Sequence, residues 1–234
     1  MMLGSGVLAI WNNVTPVAEE EFVRWHVREH IPERVSIPGF LRARRYVGSA
    51  SRLKYFNFYE TETVDVLQSP AYHARLDSPT EWTKRVVKEF RDTSRTACVV
   101  RASIGLGTGV CVETIQLRAR AEVSADTFVQ ALRPVLAQAQ ESRDVVAAHL
   151  LEGRHDTSKV KAAEKALMAE PDRLADWIIL TETLTADAAN ALHKDVLADR
   201  LLVECGATGD IARSVYTLDF ALAKADLEMT ANEA

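Results

Sequence analysis

The sequence predicts an α+β chain of two fused ferredoxin-like βαββαβ repeats, closing into one barrel with helices outside. Three observations carry this. Segments of period-2 and period-3.6 hydrophobicity run strand–helix–strand–strand–helix–strand, and then do so again. "YFNFYETET" (55–63) resembles "WIILTETLT" (177–185) internally. "GLGTG" (105–109) separates the two runs and sets the units at 1–107 and 108–234. As a phosphate loop "GLGTG" is weak, because a strand rather than a helix follows it.

Each element has its own signal. "GVLAIWNNV" (6–14) reads as a strand. The helix after it opens at Thr15 or Pro16, with Glu19, Glu20 and Glu21 against the positive end of its dipole. Pro38-Gly39 breaks the chain before the strand "FLRARRYVG", and Ala50-Ser51 turns it into "LKYFNFYETE". Helical segments cover 63–93 with interruptions at Pro70 and Pro79, and "TACVVRASIG" (96–105) is the fourth strand. In the second unit "VCVETIQLRARA" is a strand and "SADTFVQALRPVLAQAQ" a helix capped by Ser124. "VVAAHLLEG" and "DWIILTETLT" are strands flanking helical "TSKVKAAEKALMAE" (157–170). One long helix (186–205) precedes the last strand, "ARSVYTLDFAL" (212–222).

Composition narrows the function. The chain has 234 residues, 47% of them hydrophobic, enough for a substantial core. A net charge of −5 gives no field to draw nucleic acid or an acidic membrane. Cys98, Cys111 and Cys205 are odd in number and scattered, which fits a reducing cytoplasm and no structural zinc. No basic-then-apolar leader and no apolar run of about 18 residues is present. The expectation is a cytoplasmic protein with a small-molecule partner, without nucleic acid or membrane, acting as an internally duplicated monomer or a homodimer.

Comparing the units with each other locates the chemistry. Trp25, His26, Glu29 and His30 align with Ala131, Leu132, Val135 and Leu136. Arg42, Arg44 and Tyr46 align with Ala147, His149 and Leu151; Tyr55, Asn57 and Tyr59 align with Trp177, Ile179 and Thr181. The first unit is polar where the second is mostly apolar, so we expect a chemical unit and a scaffold unit. Strand alternation puts Arg42, Arg44 and Tyr46 on one face, Tyr55, Asn57 and Tyr59 on one face, and Trp11 with Asn13 opposite Leu8 and Ile10. If the apolar sets meet the helices, these polar sets point into the barrel. They would form a pocket for a small oxygenated anion, Arg being suited to carboxylate. The competing reading leaves Arg42 and Arg44 on a solvated face.

"WHVREHIPERVSIPGF" (25–40) is the richest stretch. His26 to His30 spells H-x-x-E-H, a zinc-peptidase pattern, but Pro32 is expected to end the helix just past His30, so no metal and no cofactor are expected. His26, Glu29, His30 and Glu33 share a helical face. A solvated helix end is the bland alternative, and Trp25 argues against it. A histidine there is suited to general acid–base work, with Glu29 to orient it. His73, His149, His155 and His193 read as structural or surface residues, Trp82 as packing, and Cys98 and Cys111 as small buried hydrophobes.

"FVRWHVREHIPERVSIPGFLRARRYV" (22–47), with "KYFNFYETET", "SPAY" and "PTEW", resembles the EthD-like proteins of the dimeric α/β-barrel superfamily. The likeness is in motifs over 5–100 and in topology over 110–225. It implies the barrel fold, and relatives there include isomerases, cyclases, cofactor-free monooxygenases and haem proteins. The family's helix histidine corresponds to His30, whereas His26 replaces a different residue. The expected function is a cofactor-independent isomerase on an acid such as a ring-cleavage dienoate. In it His30 and His26 exchange protons, Glu29 orients them, and Tyr46 and Tyr59 stabilise oxyanion charge. Arg44, Arg42, Trp25, Tyr55, Asn57, Trp11 and Asn13 would bind substrate. The alternatives are a cofactor-free monooxygenase or cyclase on a phenolic polyketide, and a non-catalytic binding protein.

Overall fold

In the computed structural model of the chain, β1 (Gly6–Val14) leads through a 3₁₀ turn into α1 (Glu19–Trp25) and α2 (Ile31–Ser36). Then come β2 (Phe40–Val47), β3 (Tyr55–Thr61), α3 (Pro70–Asp77), α4 (Glu81–Val86) and β4 (Phe90–Gly105). The second half runs β5 (Cys111–Leu117), α5 (Ala125–Glu141), β6 (Val145–Gly153), α6 (His155–Ser158), α7 (Ala163–Ala166) and β7 (Trp177–Thr183). It ends with α8 (Ala186–Lys194), α9 (Asp199–Glu204), β8 (Ala212–Ala223) and α10 (Lys224–Asn232). The structure describes residues 1–158, 162–168 and 172–232, with side chains through residue 229. The helix expected over 157–170 lies partly outside the described residues. The single helix expected over 186–205 is two, α8 and α9, and the strand expected from residue 96 begins at Phe90.

All eight strands join one closed antiparallel barrel in the order β1-β3-β2-β8-β5-β7-β6-β4. Read by halves this is β4-β1-β3-β2 and β8-β5-β7-β6, the same order twice, with the seams at β2–β8 and β4–β6. Closure removes every sheet edge. Alternation divides each strand between two environments. Inside lie Val7, Ala9, Trp11, Tyr46, Phe56, Phe58, Cys98, Val112, Leu151, Ile178, Leu180 and Tyr216, one aromatic-rich cluster. Outside, Leu8, Ala43, Tyr59 and Ala97 meet Ile31, Val35, Tyr72 and Leu76 of the first half's helices. In the second half Ile115, Leu150 and Ile179 meet Leu132 and Leu136 of α5. No helix among the described residues is long and apolar enough to cross a membrane.

β3 therefore faces the opposite way from expectation: Phe56 and Phe58 fill the barrel, and Tyr55, Asn57 and Tyr59 face the helices. Both faces of this strand are aromatic and both are buried, so hydropathy cannot tell them apart.

Candidate active site

The helical segment from Glu19 to Ser36 does not stop at Pro32. Between α1 and α2, residues His26–His30 form a π turn, closed by the Ile31 N–H donating to the carbonyl of His26. Proline at 32 has no N–H, and its ring would press on the carbonyl four residues back. One wider turn absorbs both problems, and the helix goes on to Ser36. The extra residue shifts the phase. The inward face from His26 continues through His30 and Arg34, all buried. Glu29 and Glu33, expected on that face, are turned towards its margin. Glu29 accepts hydrogen bonds from the Thr80 and Thr83 hydroxyls at 2.6 and 3.2 Å, and so does not orient either histidine. Glu33 accepts from Arg34 at 3.0 Å.

Beneath this face lies a chamber between the outer wall of the barrel and the helices. It is a narrow slot with about 40 Å³ of water-accessible space. Its floor is Leu8, Ile10, Tyr59 and Arg95 from the sheet; its walls include Trp25, His30, Arg34 and Tyr72. Glu164, Lys165 and Met168 roof it, brought from the second half by the β6–β7 connection. That connection is tied to α3 by the Ala163 N–H donating to Asp77 at 3.2 Å.

His26 and His30 stack with ring centres 5.4 Å apart and 19° between planes, and Trp25 lies 4.3 Å from the His30 ring while its indole donates to Thr83 at 3.1 Å. The Tyr59 hydroxyl is 3.2 Å from Nε2 of His26. Nδ1 of each histidine is buried without a hydrogen-bond partner among the described residues. Burial holds both imidazoles well below the ordinary histidine range. The Arg45 and Arg34 cations push His26 the same way, and Arg34 with His26 does so for His30. Both rings are neutral at pH 7, so His30 meets the chamber as a base.

The cations differ in their partners. Arg34 is paired with Glu164 and with Glu33. Lys165 is paired with Asp172 at 2.5 Å, and burial first, then Arg95, depress its ammonium to about 8. Arg95 is buried and donates to the Tyr72 hydroxyl at 2.8 Å and to the Ser158 carbonyl at 3.2 Å, but has no carboxylate in ion-pair range among the described residues.

Of the residues singled out from the sequence, Trp25, His26, His30 and Tyr59 come together here. Arg42, Arg44 and Tyr46 are on the other side of the sheet, inside the barrel. There Arg42 pairs with Glu60 at 2.5 Å, and Arg44 donates to Glu182 at 2.9 Å and Tyr46 at 2.7 Å. Both arginines are paired with carboxylates, although Nε and one terminal nitrogen of Arg44 are buried without a hydrogen-bond partner among the described residues. Glu182 also lies 3.2 Å from His149 and accepts from the Gly109 N–H; although burial opposes it, His149 and Arg44 hold its carboxyl at about 2. Trp11 is in the barrel, stacked on Phe56 at 4.8 Å. Asn13 sits at the rim, bonded to the 52–54 turn and Asp92. Tyr55 donates to Glu19 at 2.9 Å, and Asn57 donates to Asn12 at 2.9 Å.

Arg34, Tyr72, Arg95, Glu164 and Lys165 are candidate-site residues that sequence reasoning missed. Arg34 was hidden by the phase shift, and the roof by its long connection. Arg95 had one readable signal, a cation on a strand whose neighbours Ala97 and Val99 are apolar.

No protein-family model matches the chain, and no curated protein matches it. Solved structures do. An anthrone oxidase-like protein superposes with a TM-score of 0.63 at 14% identity, covering 94% of this chain and 92% of its own. A candidate monooxygenase from Fusobacterium nucleatum gives 0.60 at 9%, covering 95% and 96%. A haem-binding protein from Thermus thermophilus gives 0.56 at 9%, covering 98% and 95%. The chain thus has the ferredoxin-like α/β-barrel fold of these proteins. Haem does not fit this chamber, which is too narrow, and Leu132, Leu136 and Ile115 pack together between α5 and the sheet in the second half.

Proposed function

We propose that the chain is a cofactor-independent oxygenase that deprotonates a phenolic or enolic substrate and lets the resulting anion react with dioxygen. One observation carries the reading: a neutral, buried imidazole and a buried guanidinium without a carboxylate partner among the described residues line the same chamber. The His30 ring takes the proton. Arg95, with Tyr72, holds the oxyanion that forms, and that anion supplies the counter-charge a buried cation requires. For an activated methylene the balance closes with dioxygen alone. Both C–H bonds and the O–O bond break, one oxygen atom stays on the carbon as a carbonyl, and the other leaves with both hydrogens as water. Carbon is oxidised and dioxygen reduced, and His30 accepts the first proton and returns it to the departing oxygen. The likeness to an anthrone oxidase-like protein and a candidate monooxygenase supports this over the isomerase reading. An isomerase would share the first step, but none of these neighbours is named as one. We further propose that the halves derive from one duplicated EthD-like unit. Residues 1–107 then hold the proton-transfer groups, and 108–234 complete the wall and roof.

The test is oxygen uptake with a series from single-ring phenols and enols to anthrone. A slot of about 40 Å³ holds only a few waters, so even a single ring enters only if the 164–168 roof shifts, and the smaller members should react faster. Uptake with incorporation of one atom of labelled oxygen, lost in His30→Ala and in Arg95→Gln, is expected. Deuterium exchange from solvent without oxygen uptake would return the isomerase.

A further inference from the structure

The most spacious cavity among the main ones is elsewhere. It is a basin of about 530 Å³ at the barrel end where β1 and β5 finish, floored by Trp11 and Tyr216 and sharing no residue with the chamber. Four guanidinium groups line it: Arg52 from the β2–β3 turn, Arg118 just after β5, Arg173 just before β7, and Arg213 from β8. No carboxylate among the described residues lines it. Their remaining capacity differs. Arg213 is spent, bonded to Asp199, Glu113 and the Leu197 carbonyl. Arg118 meets Asp176 through one nitrogen at 3.2 Å, and Arg173 meets Asp92 through one nitrogen at 3.3 Å. Arg52 is exposed and has no ion pair among the described residues. Each guanidinium has five N–H groups, so three converging forks keep unused donors. Gln116 adds a neutral amide donor.

We propose that this basin binds a phosphorylated small molecule, its oligophosphate gripped by Arg52, Arg118 and Arg173. Forked guanidinium donors match the tetrahedral oxygens of phosphate, and three of them from separate segments match several charges at once. The concave shape selects a small molecule, and the net charge of −5 disfavours a polyanionic polymer. The proposal is independent of the oxygenase reading, because the basin and the chamber lie on opposite sides of the β1–β4 sheet.

Calorimetric titration of the full chain with inorganic pyrophosphate at low salt tests it, with ADP and succinate as parallel probes. Saturable pyrophosphate binding is expected, weakened roughly tenfold or more by Arg52→Glu and by Arg173→Glu. It should be unchanged by Arg85→Glu, a reversal on α4 away from the basin. Binding of ADP at least as tight as pyrophosphate identifies a nucleotide, and binding of pyrophosphate alone an inorganic or non-nucleotide ester. Arg52 is exposed, so Arg52→Glu decides the matter even if Arg173→Glu folds poorly. No saturable binding, equal weakening by Arg85→Glu, or succinate binding as tightly as pyrophosphate would overturn the assignment.

Discussion

His30 makes a measurable demand on stability. Its folded-state pKa lies well below the ordinary 6.5, so below that pH the unfolded chain binds a proton that the folded chain refuses. Stability is therefore fully present above about pH 6.5 and drains away as the pH falls towards the folded value. Each unit of pH is worth about 1.4 kcal/mol per histidine once the unfolded ring is charged. Between about pH 7.5 and about pH 5.5 His30 should cost on the order of 1 kcal/mol, and His26 acts in the same direction. Glu113 works in the opposite direction. Its burial raises it to about 7, and it takes up a proton in the folded state over the same interval. Absolute stabilities mix these effects, so the informative quantity is a difference. His30→Asn keeps a polar group of similar breadth that does not titrate, and Glu113 is common to both proteins. Urea denaturation at the two pH values should show the wild type losing more than His30→Asn, by on the order of 1 kcal/mol. Equal losses would mean that His30 takes up its proton over the same pH range folded as unfolded, and would remove the desolvated imidazole on which the assignment rests.

The same protonation state predicts that kcat/KM for oxygen uptake stays level as the pH falls through 6.5 and declines only below it, along the lowered titration of His30. Arg34→Met strands Glu164 without its cation, leaves Glu33 only the more distant Arg75, and should cost about 3–5 kcal/mol in urea denaturation. Arg44→Met removes the guanidinium from Glu182, which keeps only His149 and the Gly109 N–H inside the barrel, and should cost about 3 kcal/mol. Oxygen uptake per folded molecule should be unchanged, because that cluster lies across the sheet from the chamber. A matching loss of turnover would show that the barrel interior takes part. Tyr59→Phe removes the hydrogen-bond partner of His26 and should destabilise by about 1 kcal/mol, read from the same curves.

Strand order and the polar first half were legible because period-2 runs, Pro38-Gly39 and the 105–109 glycines are local signals. The face of β3 was not. "YFNFYET" is buried throughout, and only the neighbours of Tyr59 and Phe58 decide which way each points. The π turn defeated the helical face for a related reason. Pro32 announced a disturbance, but whether the chain stops or widens depends on what Ile31 and Val35 gain by packing on Tyr59 and Ala43. Trp25, His26 and His30 were found because aromatic and imidazole rings beside each other are costly to leave in water. Lys165 was beyond reach, since its distance of more than a hundred residues from His30 gave no clue that they share a wall.

The crossing of the β6–β7 connection onto the first half has a consequence for ancestry and engineering. Were the halves separate polypeptides, the ceiling over His30 would arrive only by association and would be lost on dilution. On one chain it is tethered, and its local concentration no longer depends on how much protein is present. Cutting the chain at the 105–109 glycines should therefore yield fragments whose reconstituted turnover rises with fragment concentration, whereas the intact chain's specific activity would not.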